Sequence, residues 1–520
     1  MTTPPSKNDP APRRPQRPSA QREPMVPPPH VLEQVNGRVL DPGTALVVRG
    51  VKPRSTVYVG PRVTISRSSD VEQVIGRLSE VAEELGWHID RKEADRELAS
   101  HRKQLGLVRV DLEVKDQRAT LAPDGWVLLQ QARARFGLEA MRGVGLDHVV
   151  EIRPYHDGNP YHDGNPFGAS ASAAISSYAL AGSGGRQPIA YVGPSPSRRP
   201  DSEFTTHRRP VVATLDTGCG EHPWLDHIVR HDVMLDGSPI GYIDSQTDPE
   251  EWPDQTGPLD GGIDELSGHG TFLAGLIHQA CPDADIVAWR IMGSDGPIVE
   301  SDLVDALSDI AEVARRYRDG EPGGHPIDVL NLSMGYYHET PEDVLFDPTM
   351  LDILRLMGEC GVAVVCSAGN DATARPMFPA AFAPWLGGHG LTRPQADVVP
   401  IVSVAALNPN LSDALFSNTG PWVRARAQGA AVLSTTPQFQ GGLEPMARTE
   451  AYQHRRESID PDDYTGRFAV WSGTSFSAPL FAGRVAQALG GIPADPTEDG
   501  RADAVARGWA AVEGLTDIAP

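Results

Sequence analysis

Downstream of residue 210 the chain alternates short apolar runs with stretches of helical spacing. The runs 211–215, 286–291, 327–332, 362–366 and 399–404 are almost wholly apolar and short, the pattern of strands buried on both faces. Between two of them Leu303, Leu307, Ile310, Ala314 and Tyr317 recur on one face of a helix. Strands alternating with helices predict an α/β fold with a doubly wound, mostly parallel sheet and helices on both faces. Polar loops then collect at the carboxyl ends of the strands, where open sheets of this kind place their sites.

The texture upstream is different. Val57-Tyr58-Val59 and Val63-Thr64-Ile65 predict strands, and Ser68, Ser69 and Asp70 offer a cap for a helix carrying Val71, Val74, Ile75, Leu78, Val81, Ala82 and Leu85. After a charged stretch over 90–104, apolar and polar residues alternate across 108–114, which marks a half-buried strand. A second helix over 124–136 and a last strand over 148–152 complete a small α+β, ferredoxin-like (split-βαβ) arrangement. The chain thus divides into a disordered Pro/Arg-rich tail (1–44), a small α+β region (45–155), a Gly/Ser/Pro-rich linker (156–208), the α/β domain (209–490) and a C-terminal tail (491–520). The linker holds a direct repeat, Tyr-His-Asp-Gly-Asn-Pro at 155–160 and again at 161–166, which reads as a duplicated turn or as a pair of metal-binding His-Asp steps.

Charge narrows the partners. Lys and Arg number 46 against 69 Asp and Glu, a formal charge of −23, which argues against nucleic acid as the main partner because phosphate binding needs clustered positive charge. The first 30 residues lack the apolar run of a secretory signal, and no later stretch is apolar enough to span a bilayer, so a cytoplasmic location is the expectation. Cys219, Cys281, Cys360 and Cys366 show no metal-ligand spacing and are expected as free thiols in a cytosol.

Chemistry is concentrated in four places. Trp471-Ser472-Gly473-Thr474-Ser475-Phe476-Ser477-Ala478-Pro479 leads into an apolar segment, so Ser475 falls in the first turn of a buried helix, where free N–H groups and the helix dipole favour negative charge. A serine hydroxyl is a weak nucleophile and needs a base, which in turn needs an orienting group. Asp216 ends the first apolar run in Leu215-Asp216-Thr217-Gly218, His269 stands in Ser267-Gly268-His269-Gly270-Thr271, and Asn370 closes Ser367-Ala368-Gly369-Asn370. Taken singly these are also a capping serine, two turn residues and a core or capping histidine.

Taken together, in the order Asp, His, Asn, Ser, the four blocks resemble those of the subtilisin-like serine proteases, or subtilases. The resemblance covers roughly the α/β domain and implies a serine endopeptidase. Ser475 would attack a peptide carbonyl, His269 would carry the proton, Asp216 would orient His269, and Asn370 with the Ser475 N–H would hold the oxyanion. Met292-Gly293-Ser294-Asp295-Gly296 and Leu332-Ser333-Met334-Gly335 resemble the two segments between which the family lays its substrate, which implies Ser294, Asp295, Gly296, Ser333, Met334 and Gly335 as substrate-binding residues. Phe378-Pro379-Ala380 and Phe416-Ser417-Asn418-Thr419-Gly420 fall where similar segments are expected. The implied partner is a protein or peptide, and the chemistry requires no cofactor. The upstream α+β region loosely resembles the inhibitory pro-domains of many subtilases. Two features depart from the family pattern: the polar excursion 438–467 before the serine block, placed to cover or reshape the cleft, and Cys219, whose modification is expected to perturb the nearby Asp216. Asp244, Asp248, Glu250, Glu251, Asp254, Asp260 and Asp264 admit three readings: a solvated acidic loop, a preference for basic substrates, or a structural Ca²⁺ site. Two other functions remain open, a processing protease dedicated to one partner or peptide precursor, and a catalytically silent peptide-binding module.

Overall fold

Seven strands lie side by side, all parallel, in the order Ala425–Gln428, Val402–Leu407, Ala363–Ser367, Val329–Leu332, Val211–Asp216, Asp285–Arg290 and Val229–Arg230. This computed structural model describes residues 23–519 apart from 92–98, 116–119, 153–185, 192, 258, 260, 341–348, 386–392, 442–447, 458, 461–462 and 496–497. Both faces of the sheet are covered. Val211, Ala213 and Leu215 join one core, with Leu303 and Leu307 of the helix Glu300–Arg318 and Met350 and Ile353 of Thr349–Glu359. Val212 and Ile286 join the opposite core, with Ala274 and Ile277 of His269–Ala280 and Phe481 and Val485 of Thr474–Ala488. Side chains of successive strand residues point to opposite faces, so a strand buried on both sides must be apolar throughout. The fold is therefore a doubly wound α/β fold. The expected C-terminal tail belongs to it: Val505, Trp509 and Val512 of the helix Arg501–Glu513 recur at helical spacing and are buried in the second core.

Upstream lies a second, antiparallel sheet with strand order Trp87–Asp90, Leu107–Val114, Thr56–Ser66, Val144–Val150 and Ile298–Val299, with Gly37–Leu40 paired to the start of Thr56–Ser66. The two strands expected at 57–59 and 63–65 are one strand, Thr56–Ser66. Its register against Val144–Val150 shifts between Tyr58 and Val63, an irregularity that absorbs Gly60-Pro61. The helix Val71–Glu84 is capped by Asp70, which accepts from Gln73 N at 3.1 Å, and Gly125–Phe136 by Asp124, which accepts from Val127 N at 3.0 Å. Both helices pack on this sheet through residues such as Ile75, Leu78, Leu128 and Leu129. The last strand begins at Val144 rather than 148 and is buried at every position, because one face meets its own helices and the other the α/β domain. That burial removes the alternation by which a strand is recognised.

The two units are bound closely. Asp147 accepts from Ser301 N at 2.9 Å and from Ser301 Oγ at 2.8 Å, so it caps the first turn of Glu300–Arg318 from the neighbouring unit. Arg102 Nε donates to Asp309 at 2.8 Å, and Arg109 pairs with Asp302 at 2.6 Å.

Two segments expected to be irregular are ordered. Of the tail 1–44, residues 1–22 lie outside the described residues, but Pro29–Gln34 is a helix, Gly37–Leu40 a strand, and Glu23 pairs with the buried Arg375 at 2.9 Å. Of the linker 156–208, residues 156–185, including the His-Asp repeat, lie outside the described residues. From Arg186 onward the described chain is tied to the α/β domain at several points. Arg186 is fully buried over the Trp471 ring and donates to the carbonyls of Ser267 and Asp264. Gln187–Pro188 pairs with Phe468–Trp471, and Arg208 clasps Asp328 at 2.6 and 2.7 Å. These contacts depend on distant partners, which is why composition alone suggested a free linker.

Candidate active site

The strand Val211–Asp216 ends in a fully buried carboxylate. Asp216 Oδ1 accepts from Thr217 N at 2.8 Å and lies 2.7 Å from His269 Nδ1. His269 is the first residue of its helix, following Gly268 at φ +79°, a left-handed turn suited to glycine. Gly270 is required for a different reason, since a Cβ there would sit 2.0 Å from the Gly218 carbonyl oxygen. The imidazole is enclosed by Trp471, ring centres 5.5 Å apart, and Phe476, 5.3 Å apart. His269 Nε2 is buried and has no hydrogen-bond partner among the described residues.

Ser475 is the second residue of the helix Thr474–Ala488, beside the Phe476 that packs on His269. Its Oγ donates to Ser333 O at 3.3 Å, and Ser333 Oγ donates to Ser475 O at 2.9 Å. Asn370 follows the strand Ala363–Ser367, and its Oδ1 accepts from Thr474 N and from Thr474 Oγ1, each at 2.9 Å. That pairing makes Nδ2 the donor end of the amide. Asn418 braces the same loop by accepting from Asp371 N at 3.0 Å and Thr373 N at 3.1 Å.

A cavity beside Ser475 is lined by Ser333, Met334, Gly335, Asn370 and Thr474, and by Met25 and Glu151 of the upstream chain. Met25 N donates to Asp371 at 3.0 Å. Glu151 and Gly335 exchange two backbone hydrogen bonds, each 3.0 Å, as an antiparallel pair. The other three residues implied to bind substrate, Ser294, Asp295 and Gly296, are not among those lining this cavity. Ser294 is buried and donates to Asp264 at 2.5 Å. The upstream strand pairs a little further along, at Ile298–Val299.

Glu250 is the residue that the sequence did not single out. It is buried against the turn of Asp216 and the start of the histidine helix. Oε1 accepts from Gly270 N at 2.9 Å and from Thr217 Oγ1 at 2.5 Å, and Oε2 from Thr271 N at 3.3 Å and Thr271 Oγ1 at 2.5 Å. Burial pushes its carboxyl up to about 7, against the Thr217 and Thr271 hydroxyls, which pull it down. Above its ordinary 4.5 the folded state holds this proton more tightly than the unfolded chain, so the stabilisation is present at low pH and is lost as pH rises towards about 7. Glu250→Ala is expected to destabilise the fold by about 3 kcal/mol, since at least two buried N–H donors lose their acceptor at about 1–3 kcal/mol each. It is also expected to flatten the pH dependence over that window, as urea titrations at several pH values would show.

Three other acidic residues accept backbone N–H groups of this loop's own turns. Asp264 accepts from Gln255 N at 2.8 Å and Thr256 N at 3.1 Å, Asp244 caps Gln246 N, and Asp254 accepts from Gly261 N. Asp260 lies outside the described residues. All four cysteines are free, and burial pushes the Cys219 thiol well above its ordinary range, which lowers its reactivity. The excursion 438–467 is anchored by Phe439 and Tyr464, buried with Phe272 and Trp471, and carries a hairpin of Arg448–Ala451 and His454–Glu457. None of its described residues lines the cavity beside Ser475.

A profile of the subtilase family matches residues 207–506, more than half of the chain, and the chain belongs to that family of subtilisin-like serine peptidases. The intracellular serine protease of Paenibacillus polymyxa is 24% identical over 292 residues, covering 54% of this chain and 67% of that protein. The major intracellular serine protease of Bacillus subtilis (strain 168) is 24% identical over 247 residues, covering 44% and 61%. The solved structure of fervidolysin from Fervidobacterium pennivorans, a keratinolytic enzyme related to subtilisin, aligns with a TM-score of 0.43 at 18% identity, over 86% of this chain and 56% of that one. The chain spans about two thirds or less of the length of each of these proteins and about half of fervidolysin. Among the described residues no helix is long and apolar enough to cross a membrane.

Proposed function

We propose that this chain is a serine endopeptidase in which Ser475, His269 and Asp216 form the catalytic triad. The observation that carries this reading is the fully buried His269–Asp216 contact of 2.7 Å, with an Nε2 that has no partner among the described residues, beside the helix that begins at Thr474 and Ser475. His269 Nε2 takes the Ser475 proton as Oγ adds to the peptide carbonyl, then returns it to the leaving amine, and Asp216 stabilises the intervening imidazolium. Water releases the acyl group by the same steps in reverse. Asn370 Nδ2 and the Ser475 N–H stabilise the oxyanion. Substrate is held in extended form against Ser333, Met334 and Gly335, as Glu151 is on Gly335, with the segment 294–299 as the opposite edge. The chemistry uses no cofactor. The names of the two curated relatives favour a cytoplasmic location.

A fluorophosphonate probe is expected to label Ser475 covalently, and the label should be absent from Ser475→Ala. A folded wild-type protein that takes no label, even after limited proteolysis, would instead be a silent peptide-binding module. Asn370→Ala is expected to lower kcat by roughly 10²–10³ with KM nearly unchanged, because the donor matters most in the transition state. Steady-state kinetics on a peptide substrate checks this, and a change confined to KM would assign Asn370 to ground-state binding.

A further inference from the structure

Outside the proposed triad, a cluster of buried ionisable side chains sits where the two units meet. His148 comes from the upstream strand Val144–Val150, and His338 and Glu339 come from the segment just beyond Ser333, Met334 and Gly335. All three are at most 5% exposed. His148 Nε2 lies 2.7 Å from Glu339 Oε2, and His338 Nδ1 lies 3.4 Å from the same oxygen. The two imidazole rings are 4.8 Å apart. One ligand atom from each of the three residues lies within 4.8 Å of the others.

We propose that this cluster is a binding site for a divalent transition-metal ion of the zinc class, held by His148 Nε2, His338 Nδ1 and the Glu339 carboxylate. Two imidazoles and a carboxylate suit such an ion better than Ca²⁺ or Mg²⁺, which take oxygen ligands. Bonds of about 2.0–2.1 Å in tetrahedral geometry place ligand atoms roughly 3.3 Å apart. The 3.4 Å spacing of His338 Nδ1 from Glu339 matches this, the 2.7 Å spacing requires the Glu339 carboxylate to withdraw by about half an ångström, and the two histidine nitrogens, within 4.8 Å of each other, must come to the same separation. His148 is already oriented for the task. Its Nδ1 lies 2.5 Å from Glu300 Oε2, and Glu300 in turn accepts from Tyr336 OH. A carboxylate on the distal nitrogen fixes the tautomer that presents Nε2 to a metal. Thr340 N–H, which donates to His338 Nδ1 at 3.0 Å, must give way.

His148 lies between the Glu300 and Glu339 carboxylates, so an ion entering the site must replace its hydrogen bond to Glu339. Because one ligand belongs to the upstream unit and two follow directly on the cavity-lining residues 333–337, a bound ion clamps the first to the second. This site is independent of the proposed peptidase chemistry.

The test uses full-length Ser475→Ala protein, stripped with a chelator and titrated with Co²⁺ and then Zn²⁺. The expected result is one equivalent of Co²⁺ with a visible d–d band, its displacement by Zn²⁺, and a raised Tm. His338→Gln and Glu339→Gln are expected to weaken binding at least tenfold and to abolish the band. Absence of saturable binding, or binding unchanged by both substitutions, overturns the proposal and leaves His148 as a structural hydrogen-bonding residue between Glu300 and Glu339. Should the variants fail to fold, X-ray absorption on the Zn²⁺-loaded parent decides. Two imidazole ligands support the site, and any other number overturns it.

Discussion

Ser475→Ala is expected to abolish peptide hydrolysis and leave the protein folded. The hydroxyl makes one 3.3 Å hydrogen bond, to Ser333 O, and alanine is the better helix former in the helix Thr474–Ala488. The net change in stability is therefore about 1 kcal/mol or less. The catalytic loss is of another order. Removing the corresponding nucleophile in subtilisin costs roughly 10⁶ in kcat, and that scale is taken over here from the relative. Equal thermal unfolding of the two proteins, with hydrolysis of a fluorogenic peptide lost only in the variant, would establish the role. Activity surviving at wild-type level would remove Ser475 from the mechanism.

The second large effect concerns the upstream unit, expected to hold the peptidase in check until the chain between the units is cut. The strand Val144–Val150 pairs with Ile298–Val299, and the next residue, Glu151, pairs with Gly335 on the rim of the cavity beside Ser475. Chain leaving this unit thus follows the path proposed for substrate. Residues 186–189 and 207–208 are tied to the α/β domain, so the cut is expected within 153–185. Wild-type protein should accumulate that cut on incubation, and Ser475→Ala should remain whole, as intact mass would show. The severed unit stays docked through Asp147 on Ser301 and Arg102 on Asp309, so cleavage alone gives little activity. Its removal should raise peptide hydrolysis by about tenfold or more, the ratio that 1.4 kcal/mol of blocking represents. A fragment covering 23–155, rather than 45–155, should inhibit when added back, because Gly37–Leu40 is part of the sheet. If that fragment folds and neither binds nor inhibits, the unit recruits a partner instead.

Much of the α/β fold was legible because its information is local. Continuous apolar runs marked the strands that lie between two cores, as in Val211–Asp216 and Ala363–Ser367. The upstream unit was harder. Val144–Val150 is packed on both faces by different units, and Thr56–Ser66 is a single strand interrupted in pattern by Gly60-Pro61. Glu250 was one acidic residue among seven, and nothing in its neighbours distinguishes the one that is buried.

By itself the sequence determined the order of strands and helices, the family blocks around Asp216, His269, Asn370 and Ser475, and the chemistry those residue types can perform. Turn glycines, caps and apolar periodicity act within a few residues, so they survive as readable patterns. Only the tertiary structure decided that Glu250 joins the Asp216 turn to the histidine helix, that Glu151 lies on Gly335, and that His148 meets His338 and Glu339. Each of these depends on how two separately folded surfaces dock, and the partners stand from 20 to 191 residues apart in the chain, beyond the reach of any local pattern.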